Sequence, residues 1–132
     1  MNKGNTREFD AYRAEARERW GNTDAYREFA EKTKAYPKNA WDSIADRMDE
    51  IFKAFALLMK NGAQPETPEV QQLVDTLRNH ITENYYTCTP EILAGLGQMY
   101  VADERFQSNI DRNGEGTAAF VNKAIQLYRQ NR

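Results

Sequence analysis

The spacing of apolar residues is helical along nearly the whole chain, and no stretch of strict alternation marks a strand. The strongest pattern covers residues 40–61. Trp41, Ile44, Met48, Ile51, Phe55 and Leu58 recur there at steps of three and four, flanked by Ala45, Phe52 and Met59. So broad an apolar face predicts a helix in the middle of a core. Asn39 stands where an N-cap is expected, and Gly62 where a left-handed residue would end the helix.

Thr67-Pro68 and Thr89-Pro90 each join a capping residue to proline at the first helical position, so each opens a further helix. The first carries Val70, Leu73, Val74, Leu77 and Ile81 and fades near Tyr85-Tyr86. The second carries Ile92, Leu93, Leu96, Met99 and Tyr100. Gly95 and Gly97 fall inside it, each costing about 1 kcal/mol against alanine, which predicts that a helix or a ligand approaches the backbone closely. Asp103 is placed to cap a short helix through Phe106 and Ile110. The turn Asn113-Gly114-Glu115-Gly116 leads into a last helix bearing Phe120, Val121, Ala124, Ile125 and Tyr128.

The first third of the chain differs. Charges crowd residues 7–36, and the apolar stripe is thin: Phe9, Tyr12, Ala16 and Trp20, then Tyr26, Phe29 and Tyr36. Gly21-Asn22 breaks this segment, Thr23 or Asp24 restarts a helix, and Pro37 closes it. A segment that buries so little alone takes its order from docking onto the rest of the chain or onto a ligand. The expectation is one all-α domain with a stable core over 38–132 and a mobile pair of lid helices over 7–36.

With 132 residues, 40% apolar and 29% charged, the chain is long enough for a single domain with a real core. No apolar run approaches the roughly 20 residues of a membrane span. The first residues lack the apolar segment of a signal peptide, so a cytoplasmic location is expected. Cys88 is the only cysteine, and no internal disulfide can form. Net charge is −2 and the basic residues are scattered, which argues against direct nucleic-acid binding by this chain.

Enzyme motifs are absent: no HExxH, CxxC, phosphate loop or dinucleotide fingerprint occurs. Neither a metal nor another cofactor is called for. The single histidine, His80, lies beside an apolar face and reads most simply as a partly buried structural residue. Proximal ligation of haem in a compact helical domain is the alternative. Aromatic content is the informative feature, with two Trp, seven Tyr and six Phe. Tyrosine joins an apolar ring to a hydroxyl that needs a partner, which suits a wet cleft better than a dry core. Trp20, Tyr26, Tyr36, Trp41, Tyr85, Tyr86 and Tyr100 are the candidate lining residues. Cys88, just before a helix N-terminus, stands where a thiol pKa tends to fall.

Several segments resemble the TipAS antibiotic-recognition domain, the effector domain of thiostrepton-induced and multidrug-responsive activators of the MerR type. They are Arg17-Glu18-Arg19-Trp20-Gly21-Asn22-Thr23-Asp24-Ala25-Tyr26, Tyr86-Thr87-Cys88-Thr89-Pro90-Glu91, and Gly97-Gln98-Met99-Tyr100-Val101-Ala102-Asp103-Glu104-Arg105-Phe106. The long helix from Trp41 and Asn109-Ile110-Asp111 follow in the same order, so the likeness spans about residues 8–130. It implies a globin-like helical fold, a cleft for large amphipathic antibiotics, and a lid that orders on ligand binding. It also implies a DNA-binding winged helix-turn-helix and a dimerising coiled coil, preceding this domain in full-length relatives and absent from these residues. The resemblance extends the candidate ligand-binding set to Cys88, Gly95 and Met99. In the thiopeptide-binding pattern the capturing thiol falls where this chain has Gly95, while Cys88 matches a second, turn cysteine. The resemblance therefore implies non-covalent binding of a thiopeptide-like or other aromatic drug. A stand-alone drug-sequestering protein, a helical protein-interaction module and a haem or redox binder using His80 stay open as other readings.

Overall fold

A computed structural model of the protein describes residues 23–131. Among these the chain forms six helices and no strand: α1 (Asp24–Thr33), α2 (Lys38–Lys60), α3 (Pro68–Asn84), α4 (Pro90–Ala102), α5 (Glu104–Asp111) and α6 (Thr117–Gln130). None of them is long and apolar enough to cross a membrane.

The helix ends follow local chemistry, with two departures from expectation. Thr23 caps α1, its hydroxyl accepting from the Tyr26 N–H at 3.1 Å. Pro37, not Asn39, is the N-cap of α2, in extended backbone (φ −75°, ψ 168°). Its ring fixes φ near this value and keeps the preceding residue out of helical geometry, so the helix restarts at the proline and Asn39 falls in the first turn. The Pro37 carbonyl accepts from the Trp41 N–H at 3.2 Å, which fixes the tryptophan at the close of that turn. Gly62, at φ +89°, ends α2: its N–H donates to Met59 O and the Ala63 N–H to Leu58 O, both at 3.0 Å. Thr67 provides no side-chain cap, because its hydroxyl donates backwards to Gln64 O at 3.0 Å. Thr89 does cap α4, accepting from the Ile92 N–H at 3.1 Å.

A single residue, Asp103, separates α4 from α5. Its carboxylate accepts from the Arg105 N–H at 2.9 Å and pairs with the Arg105 guanidinium at 2.6 Å, which holds the carboxyl down to about 2. The cap of α6 is non-local, since the Asp111 carboxylate accepts from the Ala118 N–H at 2.8 Å.

The core is built from α2, α3, α4 and α6, with Phe55, Val70, Val74, Leu77, Leu93, Val121 and Ile125 fully or almost fully enclosed. The most extensive packing joins α4 to α6. Gly97 permits it. A Cβ there would stand 2.8 Å from Asn122 Oδ1 and 3.3 Å from Ile125 Cδ1. Gly95, on the exposed side of the same helix, meets nothing within 4 Å, so the expected close approach holds for one glycine and not the other. Across the bundle the Tyr128 hydroxyl donates to Asp75 and accepts from Arg78, whose Nε in turn donates to Cys88 O at 2.7 Å. This chain of bonds pins the turn between α3 and α4 to the core.

Candidate functional site

Helix α1 buries only Thr33, as the thin apolar stripe requires. Polar anchors fasten it instead. The last carbonyls of any helix lack intrahelical partners, and α1 with its exit loop supplies donors for two of them at the end of α3. Lys32 Nζ donates to Thr82 O, and the Tyr36 hydroxyl donates to Asn84 O, each at 2.9 Å. Glu28 completes the attachment. Its two carboxylate oxygens accept from the Thr87 N–H and the Thr87 hydroxyl, both at 2.9 Å, and these bonds hold the Glu28 carboxyl below its usual range.

Between these anchors lies a continuous aromatic cluster. Trp41, in the first turn and a half of α2, stacks on Tyr85 with ring centres 6.2 Å apart and planes 29° apart. Tyr36 meets Trp41 edge-on at 5.3 Å. Phe29 of α1 touches both Trp41 and Tyr85, at 6.4 Å and 5.9 Å, and Tyr26 extends the row. His80, one turn before the end of α3, presents its ring edge-on to Tyr85 at 6.2 Å. The cluster thus draws on α1, the α1–α2 loop, α2 and the end of α3. The rings of Tyr26, Phe29, Tyr36, Trp41 and Tyr85 are half-buried while His80 behind them is buried, and the burial of Tyr85 pushes its hydroxyl up to about 12.

A second group sits behind the first. Cys88 is fully enclosed and Tyr100 is 6% exposed, packed edge-on against Phe52 at 5.6 Å. Tyr86 and Met99 rest against the same core. Burial raises the Tyr86 and Tyr100 hydroxyls well above the ordinary tyrosine value. It also pushes the Cys88 thiol up to about 11, against the smaller opposing pull of the Arg78 cation. The lowered thiol pKa expected at a helix N-terminus is therefore corrected, because loss of hydration outweighs the helix end.

A family model for the TipAS antibiotic-recognition domain matches residues 12–128. The chain belongs to this family.

Its curated relatives include the HTH-type transcriptional activator TipA of Streptomyces coelicolor and of Streptomyces lividans. Each is 44% identical over 88% of this chain and 46% of the relative. The HTH-type transcriptional activator mta of Bacillus subtilis is 39% identical over 89% of this chain and 44% of its own length. This TipAS domain therefore spans a little under half the length of the curated relatives it matches. Among solved structures, TipAS of Streptomyces lividans in complex with nosiheptide, described as part of a thiopeptide antibiotic multidrug resistance system, aligns with TM-score 0.83 and 42% identity. The alignment covers 92% of this chain and 85% of that one. The antibiotic binding domain of a TipA-class multidrug resistance transcriptional regulator aligns with TM-score 0.62 and 35% identity, over 67% and 94% of the two chains. The fold is accordingly the globin-like helical one expected from the sequence.

Within this TipAS domain the expected residues fall into separate groups. Tyr26, Tyr36, Trp41 and Tyr85 come together in the outer cluster. Tyr86, Cys88, Met99 and Tyr100 lie on the core side, joined to the first group through the neighbouring Tyr85. Gly95 stands on the open face of α4, and Trp20 lies outside the described residues. Sequence reasoning missed Phe29 as a cluster member and Glu28 as an anchor. Phe29 sits three residues after Tyr26, a spacing that shares a helix face and could have found it. Nothing in the pattern of charges singled out Glu28.

Proposed function

We propose that this domain is the ligand-sensing effector part of a MerR-type transcription regulator, and that its aromatic cluster holds a bulky amphipathic antibiotic without a covalent bond. The observation that carries this reading is the Trp41–Tyr85 stack with Phe29 and Tyr36 on its flanks. It forms a half-buried aromatic surface whose covering helix is held mainly by side-chain hydrogen bonds. Stacked rings accept flat heteroaromatic groups, while the tyrosine hydroxyls and the carbonyls at the end of α3 serve the polar groups of such a ligand. The names of the relatives support the same reading: the three curated ones are HTH-type transcriptional activators, and the two solved structures are TipAS in complex with nosiheptide and an antibiotic binding domain.

In this account α1 acts as a lid. Ligand bound at the cluster orders the lid more firmly, and a preceding DNA-binding region of the kind expected in full-length relatives reads out the change. Cys88 stays out of the chemistry because it is enclosed, and Gly95 has no side chain to offer. A haem site at His80 is not favoured, since the Asn84 amide donates to Nδ1 at 3.2 Å and so leaves the ring proton on Nε2, the nitrogen that would bind iron, and the residue is only 7% exposed. The test is a thermal-shift and fluorescence titration with nosiheptide. Ligand at 100 times its Kd stabilises by about 2.7 kcal/mol, and Trp41→Ala removes most of that gain. Undiminished binding by the variant places the site elsewhere.

A further inference from the structure

His80 is the one buried polar side chain among the described residues that keeps an atom without a hydrogen-bond partner, its Nε2. Its other ring nitrogen is fully engaged. Asn84 Nδ2 donates to His80 Nδ1 at 3.2 Å and to the His80 carbonyl at 2.9 Å. The amide therefore presents its donors to the histidine, and Nδ1 must act as an acceptor. That fixes the proton of the neutral ring on Nε2. A protonated ring carries N–H on both nitrogens, so it loses the Asn84 bond and leaves a cation in an enclosed site.

Two parts of the outer cluster depend on this arrangement. The His80 ring edge meets Tyr85, the stacking partner of Trp41. Asn84, held in place by His80, offers its own backbone carbonyl to the Tyr36 hydroxyl. We propose that His80 is a positioning residue for the aromatic cluster, keeping Tyr85 on Trp41 and Asn84 under Tyr36 only while its ring is neutral, so that acid weakens ligand binding. The inference rests on the binding role proposed above for that cluster.

The charges around the ring agree. Burial is the largest influence and lowers the His80 pKa. The Arg47 cation from α2 lowers it further, while Glu83 on α3 and the Ile44 carbonyl pull the other way without reversing the sign. Tyr85 on the following turn stays neutral, and α1 brings another cation, Lys32, to the same end of α3. A folded-state pKa below the ordinary 6.5 means that the unfolded chain binds more protons in the interval between the two values. The arrangement is complete above about pH 6.5 and is lost as pH falls from there through the lowered value.

With one histidine in the chain, its Cε1–H resonance reads the protonation state directly. The experiment follows that resonance by NMR, together with near-ultraviolet circular dichroism and nosiheptide affinity, from about pH 7.5 to about pH 5. In the wild type the histidine titrates below about 6.5, the aromatic dichroism changes with the same midpoint, and affinity falls about five-fold or more, while far-ultraviolet dichroism stays constant. His80→Phe keeps a ring edge on Tyr85 and cannot titrate, so its dichroism and affinity stay level over this range. His80→Gln has no ring to hold Tyr85 and starts from a reduced aromatic signal at neutral pH. A histidine that titrates at or above 6.5, an aromatic signal that ignores its midpoint, or a Phe variant with the wild-type pH profile each overturns the proposal. Failure of nosiheptide to bind at neutral pH overturns the proposed function instead, and the ligand-free spectra still decide the role of His80.

Discussion

The hydroxyl of Tyr36 donates to the backbone carbonyl of Asn84 at 2.9 Å, so that a side chain beyond the end of α1 caps the end of α3. Tyr36→Phe leaves the ring on Trp41 and removes only this donor. The expected loss is about 0.5–1.5 kcal/mol, expressed in α1 more than in the core. Amide exchange over residues 24–33 accelerates in the variant while residues 51–56 of α2 keep their protection. In the unmodified protein α1 already exchanges faster than 51–56, and nosiheptide slows it selectively. Uniform protection of both segments without ligand contradicts the lid.

Trp41 joins α2 to Tyr85, Tyr36 and Phe29 at once. Trp41→Ala loses these contacts, each worth about 0.5–1.5 kcal/mol beyond area burial, and it weakens both binding and stability. Trp41→Phe keeps a stacking face and retains most of the affinity. In titrations of the intact protein a bound aromatic drug quenches tryptophan emission. A Trp41→Ala protein with unchanged affinity and unchanged Tm refutes the assignment.

The two helical glycines of α4 give opposite outcomes. Gly97→Ala forces a Cβ against Asn122 Oδ1, which also accepts from Gln126, so the α4–α6 contact must shift. Overpacking of this kind costs about 1–3 kcal/mol and outweighs the gain in helix propensity, lowering Tm. Gly95→Ala adds a methyl to open space and stabilises by up to about 1 kcal/mol. Thermal melts of the pair check both signs.

Cys88 is enclosed, with its thiol pushed up to about 11. At neutral pH it stays protonated and unreactive toward a thiol reagent, then reacts once the chain is unfolded. Incubation with a thiopeptide yields no mass increase that survives denaturation. Gly95→Cys places a thiol on the open face of α4 and produces such an adduct if ligand reaches that face. A stable adduct on the unmodified protein, lost in Cys88→Ser, overturns this reading.

Most of the fold was legible because the core helices carry their own signals. Ile44, Ile51 and Phe55 mark one buried stripe by spacing alone, and Thr89-Pro90 and Asp103 mark helix starts by chemistry that depends on a few adjacent atoms. Asn39 misled because capping preference is weaker than the rigid geometry of Pro37 two residues earlier. The candidate site was legible only as residue types. Seven tyrosines announced a polar aromatic surface, but whether Tyr85 faced Trp41 and Tyr86 faced the core depended on how the turn after α3 was pinned. Arg78 and Thr82 do that through side-chain bonds to the backbone of Cys88, and Glu28 through a contact 59 residues away. Gly95 and Gly97 looked alike for the same reason: only the position of α6 tells them apart.

The single-residue link at Asp103 and the anchoring of Glu28 to a residue 59 positions away set a temporal order on assembly. Helices α4, α5 and α6 are neighbours in sequence and need only short loops closed to meet, whereas α1 must wait for α2 and α3 to present the end it caps. Because α1 buries only Thr33 and attaches through side-chain hydrogen bonds to the end of α3, its docking requires that end to be formed first. During synthesis from the N-terminus α1 emerges before the partners that anchor it, Thr82, Asn84 and Thr87, exist. It joins the bundle only after residue 87 has left the ribosome.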